Sequence, residues 1–126
     1  MNLRTPIKTA RGLGSAKDGV HHWWMQRLTA IALVPLVLWF VFCVASLSGG
    51  DYETVRAWVS QPFTTVMLVL LIAVVFYHAQ LGLQVVIEDY ISAKAPQLTA
   101  LIVVKFLAVL MAVIGIVAVL RIAFGG

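Results

Sequence analysis

Three stretches of the chain are almost free of polar side chains: Leu28–Leu47, Val66–Ile87 and Leu98–Phe124. Each reaches the ~20 residues that carry a helix across a ~30 Å hydrocarbon layer. They predict transmembrane spans at about 28–48, 64–88 and 98–123. Gly49-Gly50 stops the first span, Pro62 is placed to open the second, and Pro96 separates the second from the third. Pro35 inside the first span is tolerable in a bundle and is a candidate bend. Between the first two spans, Val55, Trp58 and Val59 share one face at helical spacing, which predicts a short interfacial helix. The pattern is that of an all-α integral membrane protein with three transmembrane helices. An N-terminal segment (1–27), with the aromatic stretch Val20–Gln26 at the interface, precedes a three-helix transmembrane domain (28–126).

Composition agrees: of 126 residues, 62% are hydrophobic and 11% charged, where a soluble domain carries about 25% charged. A soluble fold of this length has no interior large enough for that much apolar surface. The first span is too long for a signal peptide and lacks a small-residue cleavage site. Charge fixes the orientation. Arg4, Lys8, Arg11, Lys17 and Arg27 precede the first span, whereas the loop from Ser48 to Pro62 carries Arg56 beside Asp51 and Glu53. Positive charge stays inside, so the N-terminus is expected on the cytoplasmic (or matrix) side. Trp23 and Trp24 suit that interface, and Tyr52 and Trp58 the opposite one. The net charge of +4 follows from this topology, and so few basic residues lie elsewhere that nucleic-acid binding has no support. A single cysteine, Cys43, excludes an internal disulfide and a cysteine-ligated cluster within the chain.

The second span breaks the apolar rule. His78 lies near its centre, and it closes on Glu88-Asp89-Tyr90. At 100° per residue, with His78 at 0°, Gly82 falls at about 40° and Asp89 at about 20°, roughly 16 Å further along the axis. Tyr77, Gln80, Gln84 and Glu88 form a separate polar stripe between about 200° and 280°. Ile72, Ala79, Leu83 and Ile87 form a purely apolar face, the one expected to meet lipid. An ionisable residue at mid-membrane needs a partner. His78 is either a neutral imidazole hydrogen-bonded to a neighbouring helix or an axial ligand to haem iron. Gly82, one turn on, offers a notch for a flat ring. No second histidine lies inside a span, so a six-coordinate haem requires its other ligand from another chain. Asp89-Tyr90 reads as an ordinary helix end or as a site for a polar-headed lipophilic substrate, the phenol donating to a quinone carbonyl. Arg27 reads as a membrane-edge anchor or as a partner for haem propionates, with His21 assisting.

These residues resemble the succinate dehydrogenase membrane anchors, specifically the small hydrophobic anchor of respiratory complex II. The resemblance covers nearly the whole chain. It rests on Gly19-Val20-His21 with Arg27 and Thr29-Ala30-Ile31, and on His78-Ala79 with Gly82 and Asp89-Tyr90 at fixed offsets within a span. It implies a heteromeric helical bundle with a companion cytochrome b anchor, joined by an iron–sulfur protein and a flavoprotein. The implied setting is the bacterial inner membrane rather than the mitochondrial one. Haem b and ubiquinone are the implied cofactor and substrate. His78 matches the axial haem ligand, Tyr90 the ubiquinone-binding tyrosine, and Asp89 its neighbouring aspartate. His21 and Arg27 match residues near the haem propionates. The family commonly has a non-histidine residue after His21, whereas here His22 follows, so either histidine is placed to face the haem.

The resemblance implies an anchor within succinate:ubiquinone oxidoreductase, with no succinate-oxidising site in this chain. A fumarate reductase anchor shares fold and partners and differs in the direction of electron flow. A small proton- or ion-translocating protein using His78, Glu88 and Asp89 is a further alternative, but it leaves the Gly82 notch unexplained. The Gln80/Gln84/Glu88 stripe has no counterpart in the resemblance and is expected to pack against protein. Lys105, one or two turns inside the third span, is expected to snorkel toward the cytoplasmic interface.

Overall fold

The computed structural model describes residues 14–125, with side chains from residue 19 onward. Arg4, Lys8 and Arg11 of the basic N-terminal region lie outside the described residues. Four helices and no strands are present among those residues: α1 (Gly14–Ser46), α2 (Tyr52–Ser60), α3 (Pro62–Tyr90) and α4 (Lys94–Phe124). Three of them, α1, α3 and α4, are long and apolar enough to cross a membrane.

α1 runs unbroken through Pro35 and takes in the aromatic stretch from Val20 to Gln26, so the interfacial segment and the first span are one helix. Its end needs both glycines. Gly49 adopts φ +84°, a left-handed conformation costly for residues with a Cβ. A Cβ on Gly50 would lie 3.0 Å from the Leu47 carbonyl oxygen and 3.2 Å from Thr54 Cγ2. Asp51 then caps α2, its carboxylate accepting from the Thr54 amide at 2.9 Å and the Thr54 hydroxyl at 2.7 Å. These bonds favour the ionised carboxylate, the side-chain bond most, and hold Asp51 below the ordinary carboxylate range.

α2 is amphipathic and turns its apolar face inward. Val59 is buried, and Trp58 stacks on Trp39 of α1 with ring centroids 5.9 Å apart. Phe63 meets the same Trp39 edge-on at 6.3 Å. The Thr65 hydroxyl donates 2.7 Å to the Val59 carbonyl oxygen, which ties the end of α2 to the start of α3. Pro62 occupies the first turn of α3, where its missing N–H costs nothing.

α3 is the central element. It packs against α1 on one side and α4 on the other, and the backbones of α1 and α4 stay apart among the described residues. The few buried apolar side chains, Leu36, Val59, Leu68, Leu71, Leu81 and Ile87, lie mostly on α3. The α3–α4 contact is close because Gly115 faces Ile72: a Cβ there would sit 3.2 Å from Ile72 Cγ2. Ile72 and the buried Ile87 belong to the face expected to meet lipid, and α4 covers part of that face instead. α4 buries no residue fully, and large apolar side chains such as Phe106 and Leu110 are exposed on it, a surface suited to hydrocarbon. Pro96 stands in the first turn of α4 and not in the preceding loop, since the first helical turn donates no N–H to the helix. Gln97 reaches back from that turn, donating 2.9 Å to the Ile91 carbonyl oxygen and 3.4 Å to that of Glu88, which strengthens the α3–α4 corner.

Gly115→Val overpacks the contact with Ile72 and is expected to destabilise the three-helix unit by about 1–3 kcal/mol, read as a lower midpoint of thermal unfolding in detergent; Gly115→Ala should cost less. The Asp51 cap has a definite pH sign. Its folded pKa is depressed, so the cap is complete at neutral pH and weakens as pH falls through that lowered value. The amide resonance of Thr54 in detergent micelles should therefore report fraying of the first turn of α2 in acid for the native chain, and at every pH for Asp51→Ala.

Candidate functional site

The N-terminal half of α1 runs antiparallel to the C-terminal half of α3, and their seam gathers polar groups that lie far apart in sequence. Thr29 faces His78, the hydroxyl oxygen 2.9 Å from the imidazole Nδ1. Thr29 is buried and His78 half-buried. One turn toward the N-terminus, Gln26 lies over Gly82, its Nε2 3.8 Å from where a Cβ on that glycine would be. The seam therefore fills the notch at Gly82 with an amide, at ordinary contact distance. The Oε1 of Gln26 is buried and has no hydrogen-bond partner among the described residues. One turn further out, His22 Nε2 lies 3.2 Å from the Leu81 carbonyl oxygen and closes the seam.

His78 thus realises the hydrogen bond to a neighbouring helix at one ring nitrogen and leaves the other available. Nε2 makes no hydrogen bond among the described residues, and it is not one of their buried, unpartnered atoms. It is therefore not fully buried within the three-helix unit. Metal-ligating histidines typically engage their second nitrogen in this way. Among the described residues no three ligating side chains converge.

The two neighbouring histidines separate. His22 is half-buried and reaches the Leu81 carbonyl oxygen, whereas His21 is exposed, and both border a groove beside α3. Arg27 is exposed and lies over the Trp23 ring, 5.0 Å from its centroid, where the aromatic face supports a cation at the membrane edge. Trp23 in turn packs edge-on against Trp24 at 5.0 Å. Asp89 and Tyr90 are the last residues of α3 and are exposed, Tyr90 at 84%. They stand at the end of the helix, apart from the His78 seam by the three turns that the helical rise dictates.

The polar stripe of α3 forms a ladder of its own. Gln80 Nε2 donates 3.3 Å to Gln84 Oε1, and Gln84 Nε2 donates 3.1 Å to Glu88 Oε1. Gln80 is buried, Gln84 half-buried and Glu88 exposed. Gln80, Gln84 and Tyr77 line a groove of about 740 Å³ between α1 and α4, together with His21, His22 and Lys105. Lys105 therefore belongs to this groove wall. His78, Asp89 and Tyr90 do not line it.

Sequence reasoning gave Thr29 no role and passed over Gln26. The signal was present: the two are three residues apart, on one face of an apolar helix, where polar side chains need partners.

The family described as succinate dehydrogenase/fumarate reductase transmembrane subunit matches residues 1–116. The chain is 40% identical over 118 residues to the succinate dehydrogenase hydrophobic membrane anchor subunit of Rickettsia bellii, covering 94% of each chain. It is 36% identical over 90 residues to the protein of the same name from Paracoccus denitrificans, covering 71% of this chain and 70% of that one. It is 28% identical over 96 residues to the succinate dehydrogenase membrane anchor subunit of Reclinomonas americana, covering 74% of this chain and 80% of that one. A match over nearly the whole length, joined to three membrane-crossing helices, makes the chain a member of the succinate dehydrogenase/fumarate reductase transmembrane subunit family.

Proposed function

We propose that the chain is the hydrophobic membrane anchor of a succinate:ubiquinone oxidoreductase in a bacterial inner membrane, with its N-terminal side toward the cytoplasm. The observation that carries this reading is the likeness to the Rickettsia bellii anchor over 94% of both chains. The family description includes fumarate reductase as well; the names of the relatives favour succinate oxidation. The excess of Lys and Arg before the first span supports the orientation. A flavoprotein and an iron–sulfur protein carry out succinate oxidation and deliver the electrons. This chain contributes membrane attachment, one imidazole and part of a quinone pocket.

His78 is suited to hold a b-type haem together with a histidine of the companion anchor. Its Nδ1 is engaged by Thr29 and its Nε2 is available, which is the arrangement an axial ligand needs. A haem bound there supplies a one-electron carrier within the membrane. Arg27, and His21 or His22, lie toward the cytoplasmic end of α1, where a guanidinium and an imidazole can pair with propionates. Gly82 adds no side chain beside the ligand, and Gln26 occupies the space over its backbone.

Tyr90 and Asp89 are suited to the quinone. The phenol donates a hydrogen bond to a quinone carbonyl oxygen, and the adjacent carboxylate orients the head group or passes a proton. Quinone reduction takes up two protons, and the end of α3 is where the membrane-spanning chain meets water. The exposure of both side chains in the chain by itself is consistent with a pocket completed by other proteins of the complex.

The purified complex should show a reduced-minus-oxidised spectrum of a b-type haem, lost or converted to another spin state in His78→Ala. A native complex without haem would falsify the ligand assignment. Tyr90→Phe should lower quinone reduction by roughly ten-fold, the worth of one hydrogen bond of about 1.4 kcal/mol, while electron transfer to a soluble acceptor stays near normal. Equal loss of both activities would refute the quinone assignment.

A further inference from the structure

We infer that Thr29 is the positioning residue of His78: it selects the ring tautomer and fixes the ring plane, so that Nε2 is presented as the ligating nitrogen. The inference rests on the haem reading above and deepens it.

The argument is a proton count. A threonine hydroxyl has one proton to give. The Thr29 oxygen stands 2.7 Å from the Met25 carbonyl oxygen and 3.0 Å from that of Gln26, and both are acceptors only. If the hydroxyl donated to His78 instead, two oxygen lone pairs would face each other at 2.7 Å with no proton between them. The hydroxyl therefore donates back to its own helix, a common arrangement for threonine in an apolar helix. It can offer His78 only a lone pair. The proton between Thr29 and His78, 2.9 Å apart, must then come from the imidazole, which makes Nδ1 the protonated nitrogen and leaves the Nε2 lone pair free.

The same contact holds the ring. Threonine is stiff at χ1, and here its hydroxyl is fixed twice, by its own helix and by the imidazole. Rotation of the His78 ring about its Cβ–Cγ bond would break the contact within a membrane span, where no water replaces it. The ligand plane on α3 is thus set from α1. A hydrogen bond from Nδ1–H also leaves Nε2 more basic and the better donor to iron.

The test compares Thr29→Val, which keeps the shape and removes the acceptor, with Thr29→Ser, which keeps the acceptor, each in the assembled complex. Thr29→Val should lose haem about ten-fold faster or more, within the roughly 10–100-fold range of lost outer partners. Its low-spin electron paramagnetic resonance g-values and its haem midpoint potential should shift. Thr29→Ser should restore all three. Native potential, g-values and haem retention in Thr29→Val overturn the inference and leave His78 ligation standing. A native complex lacking haem overturns the underlying reading instead. Should Thr29→Val fail to assemble, solid-state NMR of the reduced native complex, labelled with 15N-histidine, decides the tautomer. A proton bonded to His78 Nδ1 supports the inference, and an unprotonated Nδ1 overturns it.

Discussion

Hydrocarbon supplies no hydrogen bonds, so polar groups carried into it must find partners on the protein. In this chain α3 meets that demand from both its α1 neighbour and its own side chains. The Thr29 hydroxyl is set against His78, the Leu81 carbonyl is reached by His22, and the Gly82 backbone is covered by Gln26. Its other polar stripe satisfies itself through Gln80, Gln84 and Glu88. The packing of α1 on α3 is therefore specified by polar contacts at least as much as by its modest buried apolar area. That suits a unit whose remaining surface is shared between lipid and other proteins of a complex. Gln26 Oε1, buried without a partner among the described residues, is the exception within the seam and marks the point where the isolated chain is least self-sufficient.

What could be read from the sequence is what depends on local periodicity. The three spans, the stop at Gly49-Gly50, the Pro62 start and the short amphipathic helix around Trp58 all follow from spacing and breaker residues, and all are present. The angular positions on α3 were legible for the same reason. What lay beyond reach was the rotation of each helix against the next. Thr29 and His78 are 49 residues apart, and although each marks a face that needs a partner, α3 carries two such faces and periodicity does not tell which of them α1 meets. The apolar face with Ile72 and Ile87 looked fit for lipid, yet Gly115 on α4 leaves a hollow that draws Ile72 in. Pro96 misled because a proline marks a boundary without saying on which side of it the helix lies.

The neighbouring histidines show how a pair indistinguishable by motif is divided by geometry. Successive residues on a helix differ by about 100° in direction, so one of two adjacent imidazoles must leave the seam when the other enters it. His22 enters and reaches the Leu81 carbonyl oxygen, whereas His21 stays exposed, although both border the groove that Lys105 and Gln80 also line. Arg27, stacked on Trp23, stays at the outer edge.

That α1 and α4 each pack on α3 bears on the order in which the chain can be assembled. During synthesis α1 enters the bilayer before α3 exists, and helices that insert singly associate afterwards. For that interval α1 must be tolerable to lipid by itself. Thr29 meets this condition because its hydroxyl is already returned to the Met25 carbonyl within the same helix. It waits in the membrane with its hydroxyl already engaged, so its contact with the arriving histidine joins a group that is satisfied beforehand.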